Sequence, residues 1–187
     1  LGVGSHLKKW GVLSSRITEM DWWENKVIKD INFICTPAQH FSGRKGFVET
    51  QKSLWASWVV KSGKRSFYFS GDSGYSKHYK EIGKKYGPLE LVFMDSGQYN
   101  TRWRSVHNMP DEVIKGFIDV KGENLIPIHW GMFTLAMHNW FDPPVEIEKR
   151  AKEQNISLIT PIIGQVIDME NLIVSESWWE KLIDLVK

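Results

Sequence analysis

A layered α/β domain built on a mixed sheet is the fold this sequence predicts, and two patterns carry the prediction. The first is a hairpin of aromatic and β-branched residues followed by strands that alternate with helices. The second is three apolar runs that each end in a residue able to hold a metal. They are Thr36-Pro37-Ala38-Gln39-His40, Phe67-Tyr68-Phe69-Ser70-Gly71-Asp72 and Leu125-Ile126-Pro127-Ile128-His129. An α/β scaffold presents chemistry in this way, because strands fix position and the loops after them are free to vary. Spacing alone leaves several folds of this class open.

Residues 1–30 mix glycine, basic residues and tryptophan, and read as a short strand and loops leading into a strand over Ile31–Thr36. Leu54–Val60 and Ser66–Phe69 form a hairpin around Lys61-Ser62-Gly63-Lys64. The stretch Ser76–Tyr86 predicts a helix stopped by Gly87-Pro88, and Leu89–Met94 the apolar strand after it. Asn108-Met109-Pro110 starts a helix over Asp111–Val120, which Lys121-Gly122 closes before a strand over Asn124–Ile128. A helix over Pro143–Glu153, short strands over Ser157–Pro161 and Gln165–Asp168, and an amphipathic helix over Ser175–Val186 complete the chain. No repeat or low-complexity linker divides it, so residues 1–187 read as a single domain.

At 187 residues the chain is long enough to bury a sizeable core, roughly 70% of its unfolded surface by size scaling. Hydrophobic residues at 42% and charged residues at 25% exclude disorder. Basic and acidic residues, 24 and 22, are evenly mixed and leave no electrostatic footprint for nucleic acid. The single cysteine, Cys35, excludes an intramolecular disulfide and reads as a small buried strand residue. No run approaches the ~18 apolar residues of a membrane span. The default is therefore a cytoplasmic or membrane-peripheral protein, although Leu1 rather than methionine comes first and any targeting peptide is invisible in these residues.

Two imidazoles and a carboxylate make a ligand set suited to zinc or a similar divalent ion. Each has a plainer reading. Asp72, in Ser70-Gly71-Asp72-Ser73-Gly74, organises a turn through its own side chain, and a lone histidine near a strand end is more often a satisfied structural residue. Three such residues at the ends of three separate strands outweigh those readings.

Four separated motifs resemble the metallo-β-lactamase superfamily: Asp21-Trp22-Trp23-Glu24, Thr36-Pro37-Ala38-Gln39-His40, Gly71-Asp72-Ser73-Gly74-Tyr75 and Ile128-His129-Trp130-Gly131. Within it the chain is similar to the N-acyl-phosphatidylethanolamine phospholipase D-like branch, related to ascorbate-phosphate lactonases. Leu1-Gly2-Val3-Gly4, Trp10-Gly11 and Phe141-Asp142-Pro143-Pro144-Val145 extend the similarity over nearly the whole chain. The resemblance implies an αββα sandwich with two zinc ions, or other divalent metals such as manganese, at one edge. It makes His40 a ligand of the first metal, Asp72 the bridge and His129 a ligand of the second, and it sets His107 beside the substrate phosphate. Two ions about 3.5–4 Å apart would hold a hydroxide for in-line attack on a phosphodiester. Arg44, Arg102 and Arg104 lie near these motifs and are candidates to meet a phosphate, with plain surface arginines the commoner case.

The family's first metal motif, His-x-His-x-Asp-His, is absent, since the closest two of six histidines, His129 and His138, are nine positions apart. The expectation is a carboxyl-terminal part of a longer hydrolase, inactive by itself, with apolar surface and strand edges for a missing segment, a partner chain or a second copy to cover. The substrate class implied is a lipid or small-molecule phosphodiester. The alternatives are a lactonase for a phosphorylated sugar acid and a non-catalytic scaffold that kept the fold. Ten tryptophans suit a lipid boundary, but Trp178 and Trp179 more simply pack a terminal helix onto the sheet.

Overall fold

The computed structural model describes residues 1–42, 52–133, 135–172 and 177–186. A short helix α1 (Gly4–Lys9) precedes β1 (Asn25–Ile28), β2 (Ile31–Thr36), β3 (Ser57–Ser62) and β4 (Arg65–Phe69), which pair as an antiparallel meander. Ser62 pairs with Arg65, so the hairpin turn narrows to Gly63-Lys64. Gly63 supplies the positive φ of 55° that a two-residue turn needs.

Beyond β4 the strands become parallel, because each return passes through a helix. α2 (His78–Tyr86) leads to β5 (Leu89–Asp95), α3 (Pro110–Asp119) to β6 (Gly122–Ile128), and α4 (Asp142–Glu153) to β7 (Ser157–Leu158), before α5 (Glu180–Val186). The seven strands lie in the sheet in chain order. Pro110 starts α3 without wasting an amide, and the Glu112 side chain accepts from the Met109 N–H at 2.9 Å.

Strand alternation sends neighbouring side chains to opposite faces. Val92, Met94 and Leu125 join Tyr79, Ile82, Val113, Ile114, Phe117, Ile147 and Ala151 in a core between the sheet and α2, α3 and α4. Leu91, Ile126 and Ile159 face the other way, against Phe67, Phe93, Ile128, Ile167, Met169 and Leu172. The described residues thus supply one sheet and the helical layer on one of its faces. Val27 and Ile28 on the outermost strand, and Phe69, stay exposed. Cys35 is buried in β2 as its setting predicts, and burial raises its thiol pKa.

Three element expectations need correction. The expected strand within residues 1–30 is confined to β1, and helix α1 comes first. The Gly4 N–H of α1 donates to Glu19, fifteen residues away, so its stabilising contact is tertiary and has no local signature. Gln165–Asp168 is not a strand. The Gln165 carboxamide accepts from the Ile162 N–H and the Asp168 carboxylate from the Glu170 N–H, so turn chemistry overrides the apolar pattern. The strand expected over Ser157–Pro161 shortens to β7.

His78 opens α2 almost fully buried, with Nε2 3.3 Å from Ser73 Oγ and its ring on Tyr79. Burial pushes its pKa from 6.5 down to about 4. The unfolded chain takes a proton near pH 6.5 while the folded chain holds His78 neutral until about 4, so stability is full above that window and is lost as pH falls through it. Urea unfolding across this range should lose up to roughly 3 kcal/mol to this one group, and His78→Gln should flatten the slope. An unchanged slope in that variant would show that other groups govern acid sensitivity.

Candidate metal centre

β3 is antiparallel to both β2 and β4, and β4, β5 and β6 are mutually parallel. β2, β4, β5 and β6 therefore run the same way, and their carboxyl ends open on one edge of the sheet. His40 follows β2, Asp72 follows β4, His107 lies in the loop after β5, and His129 follows β6. All four sequence-predicted residues meet there.

His129 Nε2 lies 3.8 Å from Asp72 Oδ1. The His107 ring stacks on His129 with centroids 5.1 Å apart, and the His40 ring meets His107 edge-on at 5.4 Å. His40 Nδ1 is 2.8 Å from the Phe41 carbonyl oxygen, a contact it makes as a donor, which leaves Nε2 for a ligand. Asp72, the most open of the group, has a half-exposed carboxylate.

Sequence reasoning missed Asp95, the last residue of β5, which has no solvent exposure. Its Oδ2 accepts from His107 Nδ1 at 2.8 Å and from the Ser73 N–H at 2.9 Å, and its Oδ1 accepts from His129 Nδ1 at 3.0 Å. The hydrogen bond to Asp95 raises the His129 pKa, with the charges of Asp95 and Asp72 adding to it and burial opposing. The missed signal was available: Phe93-Met94-Asp95-Ser96-Gly97 repeats the pattern of an apolar strand running into an aspartate and small residues that singled out Asp72. Ser73 joins the loops, its Oγ accepting from the Gln39 N–H at 2.9 Å while the Gly74 N–H donates to the Gln39 carbonyl.

The donor set fits a divalent ion in part. Metal–nitrogen and metal–oxygen bonds of about 2.0–2.2 Å let one ion span donors nearly 4 Å apart, which the 3.8 Å between His129 and Asp72 satisfies. A carboxylate behind a ligating imidazole is a usual supporting contact. Asp95, His107 and His129 also form a cluster with ligand atoms within 4.8 Å of one another. The Asp95 oxygens there face the two Nδ1 atoms and the Ser73 N–H.

Arg104 is held by Glu112 at 2.7 Å and Asp111 at 3.6 Å on α3, Arg102 is exposed, and Arg44 lies outside the described residues. Trp179 is buried and meets Trp130 edge-on, while Trp178 stacks on Trp130 at 5.6 Å, which anchors the segment before α5 beside His129.

A family model described as a beta-lactamase superfamily domain matches residues 1–130. An uncharacterized Mycobacterium tuberculosis protein is 37% identical over 182 residues, covering 96% of this chain and 48% of its own length. N-acyl-phosphatidylethanolamine-hydrolyzing phospholipase D 1 of Caenorhabditis elegans is 32% identical over 181 residues, covering 89% of this chain and 51% of that protein. Among solved structures, Igni18, a metallo hydrolase from Ignicoccus hospitalis, aligns with TM-score 0.67 at 13% identity over 88% of this chain and 64% of its own, a likeness of fold. The chain spans about half the length of the curated relatives it matches.

Backbone packing also positions His129, whose φ of 67° is unusual for a residue with a side chain. A Cβ on Gly97 would lie 1.9 Å from the His129 carbonyl oxygen, so only glycine admits this approach. Gly97→Ala should cost about 1–3 kcal/mol by overpacking, read as a lower urea midpoint at unchanged slope, and should shift the His129 ring resonances. Unmoved resonances would mean that the 96–98 segment does not hold His129 in place.

Proposed function

Because the chain belongs to the metallo-β-lactamase superfamily, in its N-acyl-phosphatidylethanolamine phospholipase D-like branch, we propose that its ligand edge serves a metal-dependent hydrolase that cleaves a lipid phosphodiester. The observation that carries this reading is the convergence of His129 Nε2, Asp72 Oδ1 and the His107 ring at the carboxyl ends of parallel strands. Divalent ions bound there, zinc by donor type, would supply Lewis-acid stabilisation of the phosphoryl charge and an activated water.

The residues of this chain have separate tasks. His40, Asp72 and His129 would present donors to metal, Asp72 from beside His129 Nε2. His107, its Nδ1 occupied by Asp95, turns Nε2 to the side of the cleft where the substrate phosphate would sit. These residues supply two protein ligands per ion, and catalytic zinc takes at least three. A dinuclear centre therefore needs the ligands of a His-x-His-x-Asp-His segment, which these 187 residues do not contain.

Lipid access has its own support. Met132, Phe133, Leu135 and Met137 directly follow the His129 loop and are all exposed, Met137 to 84%. No helix among the described residues is long and apolar enough to cross a membrane, so the contact proposed is peripheral.

Isothermal titration of the chain alone with zinc should give weak binding, and tight uptake of two equivalents would overturn the shared-ligand reading. Joined to a His-x-His-x-Asp-His segment, the chain should release phosphatidic acid from N-acyl-phosphatidylethanolamine in a metal-dependent way. Asp72→Asn and His129→Ala should each lower kcat/KM at least about 100-fold. Turnover of a phosphorylated lactone in place of the phosphodiester would move the assignment to a lactonase, and no turnover of either would leave a scaffold.

A further inference from the structure

We infer that Asp95 is a positioning residue that sets two imidazoles at once, holding His107 and His129 as Nδ1–H tautomers with both Nε2 atoms left to the cleft. The inference rests on the reading of His129 as a metal donor and names the group that makes it one.

A carboxylate only accepts hydrogen bonds, so any imidazole nitrogen bonded to it must carry the proton. Both Nδ1 atoms face Asp95, at 2.8 Å for His107 and 3.0 Å for His129. In the neutral ring the lone pair then resides on Nε2. For His129 that is the atom 3.8 Å from Asp72 Oδ1, and for His107 it is the atom with no protein hydrogen bond among the described residues. The carboxylate is itself held on a rigid element. The Asp95 N–H donates to Ser70 Oγ at 2.8 Å, and Asn108 Nδ2 donates to the Asp95 carbonyl at 3.1 Å. One side chain at the end of a central strand therefore aligns the imidazole assigned to metal with the imidazole assigned to substrate.

The contact on Ser73 makes the arrangement testable in an asymmetric way. A backbone N–H cannot reverse its polarity, and the Ser73 N–H shares Oδ2 with His107. In Asp95→Asn the amide oxygen must stay on that side, which turns the amide NH2 toward His129 Nδ1. His129 must then accept at Nδ1 and carry its proton on Nε2, where it blocks the metal donor. His107 keeps its tautomer.

Long-range proton–nitrogen NMR on the histidine-labelled, metal-free chain at alkaline pH reads these states directly. The unaltered chain should show Nδ1–H for both His107 and His129. Asp95→Asn should switch His129 alone to Nε2–H, leave the circular dichroism spectrum unchanged, and weaken zinc binding about 10- to 100-fold. An Nε2–H state for either histidine in the unaltered chain would overturn the inference, as would an Asp95→Asn variant with an unswitched His129 and wild-type zinc affinity. Loss of both Nδ1 protons on zinc addition would instead place the ion on the Asp95 side of the two rings and also overturn it. If the variant fails to fold, the spectrum of the unaltered chain decides. The tautomers are read without turnover, so a failure of phosphodiester hydrolysis leaves this result separately legible.

Discussion

One buried negative charge organises this molecule. Asp95 sits where water cannot reach it, and a carboxylate in that position is tolerated only when N–H groups replace its hydration. Three do so, and they come from three segments: the turn after β4, the loop after β5 and the loop after β6. The same contacts that satisfy the charge tie those segments to one another at fixed separations. The cleft is in this sense a by-product of solvating Asp95 from within the protein, because the groups recruited for that purpose belong to the residues that face the cleft.

The sheet makes this arrangement possible by direction more than by strength. β3 reverses the chain once between β2 and β4, and the helical crossovers then keep β4, β5 and β6 aligned. Four strand ends arrive together on one edge, so His40, Asp72 and His129 meet there within a few residues of their strands, and the loop between β5 and α3 brings His107 back to them. Tight backbone contacts refine the result. Ser96 Oγ and the Ser96 N–H both donate to the Ile128 carbonyl, which holds the two strand ends side by side at the place where His129 leaves the sheet.

Much of this was legible in the residues because the signals were local. Apolar runs bounded by glycine and proline mark β2, β4, β5 and β6, and Met109-Pro110 with Glu112 marks the start of α3. His40, Asp72, His107 and His129 stand out because a polar residue at the end of such a run is conspicuous. What escaped notice depends on partners distant in sequence. Glu19 caps α1 across fifteen residues, and nothing near Gly4 announces it. Asp95 repeats the strand-to-aspartate pattern of Asp72, but its contacts exist only once residues 73, 107 and 129 are brought to it. Gln165 and Asp168 misled in the opposite direction, since their side chains bend a stretch whose apolar pattern suits a strand.

Because strand order in the sheet equals strand order in the chain, every strand from β2 onward docks on a neighbour that has already emerged during synthesis. Among the described strands none has to be inserted between two others, and none must wait for a later one to create its place. The costs of loop closure are then met one neighbour at a time. The sheet can grow in a single direction as the ribosome releases it, with β5 in place before β6 and the 107 loop arrive to find Asp95.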